Sequence, residues 1–310
     1  MILFRSDSIH RQIPRSFPRL WLHRFWLAWE IVKEYRRGTL ADIESHILLH
    51  QKLADIIKGY INRDLTKVKI LEIGCGQRAS QTLLFTTDGA DVVGVDIEVP
   101  TFSMDLQVFL SVLRLNGLGR ALKSLGRHLL FDSQFFEQLA ARYGKSLSMH
   151  GVKVRVMDAT QMDFSSNCFD FIYSNMVFEH ISQVDSVVQE LNRLLKPEGV
   201  AWVNVHLFHS LSGGHHKEWT NPRSTRPHRV PPWDHLLENA YPIHIFLNKL
   251  TLNDYRRIFS EYLEVVEESF VTEGEEILTP SLAELLAQKG YSRDDLLTRE
   301  VTFLCRKNRD

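Results

Sequence analysis

The chain has 310 residues, enough to bury a large core, and its 44% hydrophobic and 24% charged content is that of a globular protein in water. Its 37 Lys and Arg against 38 Asp and Glu leave a net charge of −1, which argues against a broad cationic surface, so no nucleic-acid partner is expected. No apolar run reaches the ~18 residues that would span a bilayer. The three scattered cysteines, Cys75, Cys168 and Cys305, make neither a disulfide framework nor a four-ligand zinc site, which points to a reducing, cytoplasmic setting.

The first forty residues are basic and aromatic. Arg5, Arg11, Arg15, Arg19, Arg24, Lys33, Arg36 and Arg37 outweigh Asp7, Glu30 and Glu34, and Trp21, Phe25 and Trp29 recur at helical spacing with Leu22 and Trp26 beside them. Two readings stand for this segment: a helix that covers the protein's own core or a partner subunit, and a basic amphipathic segment resting peripherally on the inner face of an anionic membrane. A second helix is predicted from a capping pair, Thr39 and Asp42, with Ile43, Ile47, Leu53, Ile56, Ile57 and Tyr60 on its apolar side. Residues 1–66 are read as an N-terminal helical extension, and residues 67–310 as the main domain.

The main domain is organised around residues 69–97. Val68, Ile70, Leu71 and Ile73 suit a strand buried on both faces of a parallel sheet, and Gly74 and Gly76 end it. Two glycines spaced by one residue permit dihedrals closed to other residues and let a ligand approach the main chain. A helix from about Ala79 to Phe85 follows, its N-terminal amides aimed into the same crevice. A second apolar run, Val92 to Val95, ends in Asp96, placed to accept hydrogen bonds from ribose hydroxyls. This is a nucleotide half-site. Gly74-Cys75-Gly76-Gln77-Arg78-Ala79 also fits a dinucleotide pattern, so an NAD-dependent oxidoreductase is left open here. Cys75 is read as a structural member of the turn.

Four blocks in order carry a resemblance. They are Leu71-Glu72-Ile73-Gly74-Cys75-Gly76, Val93-Gly94-Val95-Asp96, Met157-Asp158-Ala159, and Phe169 to Asn175 running into Phe178-Glu179-His180-Ile181. A helix ending in Leu194-Leu195-Lys196-Pro197-Glu198-Gly199 follows. In this arrangement residues 68–208 resemble the class I S-adenosylmethionine-dependent methyltransferases. The resemblance implies a Rossmann-like α/β fold, a seven-stranded mostly parallel sheet with the last strand antiparallel, and S-adenosyl-L-methionine as cofactor. It implies a cofactor site made by Glu72, Gly74, Cys75, Gly76, Asp96, Ile97, Met157, Asp158, Ala159 and Ser174. Glu72 would serve the ammonium of the cofactor, Asp96 its ribose and Asp158 the exocyclic amine of adenine. One departure stands out, since Arg78 occupies the family's third glycine position; it either pairs with the cofactor carboxylate or narrows the pocket. A catalytically silent scaffold of the same fold is the non-enzyme alternative.

Three insertions are predicted, at 98–150, 207–250 and 272–298. In the first, Leu106 to Leu115 and Phe131 to Tyr143 are patterned as helices that would border the crevice. After the third strand, Val152 to Val156, and the fourth, Phe169 to Ser174, a helix is expected from a Ser182–Asp185 capping pair, then a fifth strand, Val200 to Val205. The stretch from His206 into the second insertion holds His206, His209, His215, His216, His228, His235 and His244 together with Trp219 and Trp233, an ordered lid or pocket wall. His180 and His206, each following a strand tip, are the candidate bases for a hydroxyl acceptor. No carboxylate or thiolate accompanies the histidine run and its spacing matches no zinc motif, so no metal site is expected. A capped helix from Thr251 to Tyr262, strands at Leu263 to Phe270 and Val301 to Cys305, and one or two short helices within Thr279 to Leu297 complete the chain. The expected acceptor is a small molecule, a glycan or a lipid-linked glycan, methylated on oxygen.

Overall fold

The computed structural model describes residues 42–101, 104, 106–220 and 229–308. The basic aromatic helix, the Thr39 cap and His228 lie outside the described residues. A helix over residues 42–56, α1, is followed by β1 (Lys69–Ile73), α2 (Ser80–Thr87) and β2 (Asp91–Asp96). Three helices then precede the next strand: α3 (Leu106–Asn116), α4 (Leu118–Arg127) and α5 (Ser133–Tyr143). The order continues with β3 (Lys153–Val156), β4 (Phe169–Asn175), α6 (Val184–Leu194) and β5 (Leu195–His206). A short α7 (Lys217–Thr220) leads to α8 (Leu252–Tyr262), β6 (Leu263–Thr272), α9 (Pro280–Gln288), α10 (Arg293–Leu297) and β7 (Thr298–Lys307).

The strands form one seven-stranded sheet in the order β3-β2-β1-β4-β5-β7-β6, with β7 antiparallel to both of its neighbours and the first five strands parallel. The predicted fold class and the antiparallel last strand are therefore both seen. Chain order reverses between β1 and β4, so the carboxyl ends of these two strands flank the topological switch point where ligands of open α/β sheets bind.

Both faces of the central strands are buried, which is why β1, β4 and β5 read as nearly continuous apolar runs. On one face Leu71, Ile73, Val93 and Val95 pack with Val184, Val188 and Leu191 of α6 and with Ile258 and Phe259 of α8. On the other, Ile70, Val92, Phe171 and Tyr173 pack with Leu53 and Phe85 from α1 and α2. The 98–150 insertion joins this side through Phe135, Phe136 and Leu139 of α5, which meet Ile43, Leu83 and Leu84. The insertions at 207–250 and 272–298 share a core of their own, made by Leu211, Trp233, Leu236, Leu278, Leu286 and Leu296.

Two local expectations are corrected. Helix α6 starts at Val184 behind Gln183, whose side chain makes no cap, so Ser182 and Asp185 do not form the capping box. The fifth strand begins at Leu195, because Leu195 pairs with Phe169 before a register shift lets Val200 pair with Phe171. The cap of α8 is as predicted: Thr251 accepts from the Asp254 N–H, and Asp254 accepts from the Thr251 N–H. Among the described residues no helix is long and apolar enough to cross a membrane.

Candidate active site

The crevice is built first by the backbone after β1. Gly74 and Gly76 adopt φ of +77° and +66°, the left-handed region in which a side chain is strained. The N–H groups of Gly74 and Cys75 both donate to the Val95 carbonyl, at 2.8 and 3.2 Å, which folds the turn onto the tip of β2. The two glycines serve different neighbours. A Cβ at Gly74 would strike the Val177 side chain, so at that position the close approach is made by the protein itself. A Cβ at Gly76 would meet nothing within 4 Å, and the crevice is open there.

Asp96 closes this opening from β2. Its carboxylate accepts from the Gly76 N–H and from the Glu98 N–H, each at 2.8 Å. Next to it Ile97 is 76% exposed, an apolar wall standing in the open at a strand tip. In the β2–β3 register Asp96 pairs with Val156, and the Met157 N–H donates to the Asp96 carbonyl at 2.9 Å, so Asp158 leaves the neighbouring tip. One Asp158 oxygen takes the Thr160 N–H and hydroxyl, both at 2.8 Å, in a turn that fixes the exposed carboxylate at the sheet edge. Met157 and Ala159 pack on the core beside it.

Glu72 lies beneath the turn rather than in the open. It is buried, accepts the Thr82 hydroxyl, and faces the buried Tyr173, and burial pushes its carboxyl up to about 7. Cys75 packs against Gly94, and burial raises its thiol well above the usual range, which suits a structural member of the turn. Ser174 is buried and donates to the Ile73 carbonyl at 3.0 Å, tying the tips of β4 and β1 together.

The elevated Glu72 value has a checkable sign. The unfolded chain ionises this carboxyl near 4.5 while the folded protein keeps it protonated towards about 7, so stability is lost as pH rises through that interval. In cofactor-free protein, Glu72→Gln should therefore raise stability near pH 8 by up to about 3 kcal/mol, with the gain vanishing as pH falls to about 4. Thermal melts at the two pH values measure this, and a loss of stability at pH 8 would contradict it.

Arg78 is engaged within the protein itself. Its guanidinium pairs with the fully buried Asp132 at 2.8 Å and with Asp42 at 3.5 Å, and it sits 4.1 Å over the Phe135 ring. Asp132 also takes Arg127 at 3.2 Å. Arg127 donates in addition to Gln77 and Thr101, while Arg120 pairs with Glu98 at 2.6 Å. The insertion after β2 is thus bolted to the crevice rim by ion pairs that no local pattern announces.

On the far side of the switch point, a single turn of tighter helix, Phe178–His180, follows β4. Asn248 pins it: its N–H donates to the Glu179 carbonyl, and its amide donates to the carbonyls of Phe178 and Ile181. His180 places Nδ1 3.0 Å from the Phe246 carbonyl. A carbonyl only accepts, so in the neutral ring Nδ1 carries the hydrogen and Nε2 the lone pair. His206 is buried at the end of β5 with Nε2 2.9 Å from the Ser212 hydroxyl, and burial drives its pKa down to about 3. His215 stacks on His206 at 4.8 Å between centroids and meets His180 edge-on at 5.2 Å. The other lid histidines disperse. His209 lies against Tyr291, His235 bonds the Phe208 carbonyl, and His216 accepts the Glu218 N–H. Gly214 and His216, the chain neighbours of His215, line a small cleft together with Trp219, Asp234, His235 and Tyr241.

A family model described as a methyltransferase domain matches residues 117–203, a stretch running from the insertion through β3, β4 and α6 into β5. No curated protein sequence matches the chain. Among solved structures, the PH0226 protein from Pyrococcus horikoshii OT3 is 15% identical, with 83% of this chain and 89% of that one covered at a TM-score of 0.44. Geranyl diphosphate C-methyltransferase from Streptomyces coelicolor A3(2) is 13% identical over 83% of this chain and 77% of that one, at 0.43. Phosphoethanolamine N-methyltransferase 2 from Haemonchus contortus, solved with S-adenosyl-L-methionine, is 17% identical over 84% of this chain and 52% of that one, at 0.44. The methyltransferase-domain match over residues 117–203 thus lies on a Rossmann-like sheet whose glycine turn faces an acidic strand tip.

Proposed function

We propose that this chain is a class I S-adenosylmethionine-dependent methyltransferase that methylates a hydroxyl of a small polar acceptor, a glycan or lipid-linked glycan, held beneath the 207–250 lid. The observation that carries the reading is the gathering of imidazoles at the carboxyl ends of β4 and β5, with His180 engaging the Phe246 carbonyl through Nδ1, which makes Nε2 the basic nitrogen of the neutral ring. The lid pocket supports it, since Trp219 and Tyr241 offer flat apolar faces and Asp234, His216 and His235 offer polar atoms, the mixture that suits a sugar.

The residues present fit the cofactor. The open side of Gly76 leaves room where any side chain would intrude, and Asp96 and Asp158 stand on adjacent strand tips. The turn amides would serve its carboxylate and Glu72, beneath the turn, its ammonium. Asp96 would hold the ribose, Asp158 the adenine amine, and Ile97 would lie against the ring. Cys75, Met157, Ala159 and Ser174 shape the walls between them. When bound, S-adenosyl-L-methionine supplies an electrophilic methyl on a sulfonium. The protein's share is alignment of the acceptor oxygen at about 3–3.5 Å, exclusion of water by the lid, and removal of the hydroxyl proton by His180.

Calorimetry on the full chain with S-adenosyl-L-methionine and with NAD tests the cofactor half. Binding of the first is expected, and Asp96→Ala should weaken it by about 10- to 100-fold, the worth of one or two hydrogen bonds to a charged group. Transfer of labelled methyl into fractionated lipid, polysaccharide and small-molecule pools tests the acceptor half. Label confined to nitrogen or carbon products would overturn the hydroxyl reading.

A further inference from the structure

The turn after β4, the end of β5 and the lid bring three side chains together that are 27 and 9 residues apart in the sequence, Glu179, His206 and His215, with donor atoms within 4.8 Å of one another. We propose that these three side chains bind a divalent first-row transition-metal cation, with imidazole and carboxylate ligands and at least one coordination position left to a non-protein ligand. Glu179 is the strongest pointer. Its side chain is buried, and neither carboxylate oxygen has a hydrogen-bond partner among the described residues. The backbone N–H groups of Glu179 and His206 favour its ionised form without making a well-formed hydrogen bond, and a buried carboxylate so weakly served is costly unless a cation faces it. His215 repeats the pattern, since its Nε2 is buried and unpartnered.

His206 is oriented as a ligand would be. Ser212 donates its hydroxyl to Glu273 at 2.6 Å, so the 2.9 Å bond between Ser212 and His206 is made by the imidazole Nε2–H, and Nδ1 keeps its lone pair. Such a hydrogen bond behind a histidine fixes the tautomer and the ring orientation of metal ligands. Two nitrogens and one oxygen suit zinc and its neighbours rather than calcium or magnesium, and three protein ligands leave the open position of a reactive site. Zinc distances of about 2.0–2.2 Å put donors roughly 3.4 Å apart, so the three groups would draw in by about 1.5 Å on binding.

Zinc binding to the full chain, stripped with chelator and titrated with Zn²⁺ against a chromophoric competitor, is the test. Wild-type protein should take up a single equivalent and melt at higher temperature with zinc than without. Glu179→Gln keeps the shape of the side chain and should lose at least about 100-fold in affinity; Ser212→Ala, which touches no ligand atom, should lose about 10- to 100-fold. His150→Ala, on an exposed turn, should bind as wild type does. Substitution with Co²⁺ should give ligand-field absorption in wild type and none in Glu179→Gln, a signature that a merely structural role would not produce. No uptake by wild type, or equal uptake by wild type and Glu179→Gln, would overturn the site. Cofactor calorimetry on the same samples separates the two conclusions, because cofactor binding retained without zinc uptake refutes the metal site alone.

Discussion

Asp132→Ala should cost about 3–5 kcal/mol of folding stability, the range for removing one partner of a buried ion pair. Asp132 is fully buried and receives both Arg78, from the glycine turn, and Arg127, from the end of α4. Arg78 is itself 16% exposed and stacked on Phe135, so it cannot escape to water without disrupting the α5 packing. Urea unfolding of wild type and variant measures the difference, and a change below about 1 kcal/mol, the worth of an exposed pair, would show that the guanidinium finds an equivalent partner. The double variant Asp132→Ala/Arg78→Met is the informative control. Removing both charges while keeping an apolar stem should recover much of the loss, because the penalty lies in a mostly buried cation left with the longer 3.5 Å pairing to Asp42 rather than in the missing attraction.

The same network shows what sequence could and could not say. The β1–α2–β2 unit was legible because its information is local: an apolar run, two glycines, a second apolar run and Asp96 at its end. α3 and α5 were legible from their apolar spacing, whereas α4, between them, carries Gly119 and Gly126 and was not predicted. Arg78 was visible as an exception and its partner was not, since Asp132 lies 54 residues further on and nothing in its own neighbourhood distinguishes it from a surface acid. Thr82 on Glu72, Ser212 behind His206 and Asn248 behind the Phe178–His180 turn were equally silent, each joining elements far apart in the chain. The histidine run was misleading in the opposite sense. Closeness in sequence suggested His206, His209, His215 and His216 as one set, but the fold turns His209 to Tyr291 and His216 to its own helix start, and brings in Glu179 from another strand end.

His180→Ala should lower kcat by about 10²- to 10⁴-fold, the usual worth of a general base, while leaving affinity for S-adenosyl-L-methionine unchanged. Of the two candidate bases, His206 is held by Ser212 and kept near pKa 3 by burial, so at neutral pH its ring has little affinity for a proton. His180 is exposed, and the Phe246 carbonyl sets its tautomer so that Nε2 is the basic atom. Its backbone is fixed by Asn248, which also holds the flanking carbonyls, so removing the ring should not collapse the turn. Added imidazole separates a proton-transfer role from a packing role: a base removed by truncation is restored in part by a free base diffusing into the gap, whereas a lost contact is not. Unchanged kcat in His180→Ala, or a deficit untouched by imidazole with cofactor affinity intact, would move the proton-accepting role to another group of the crevice.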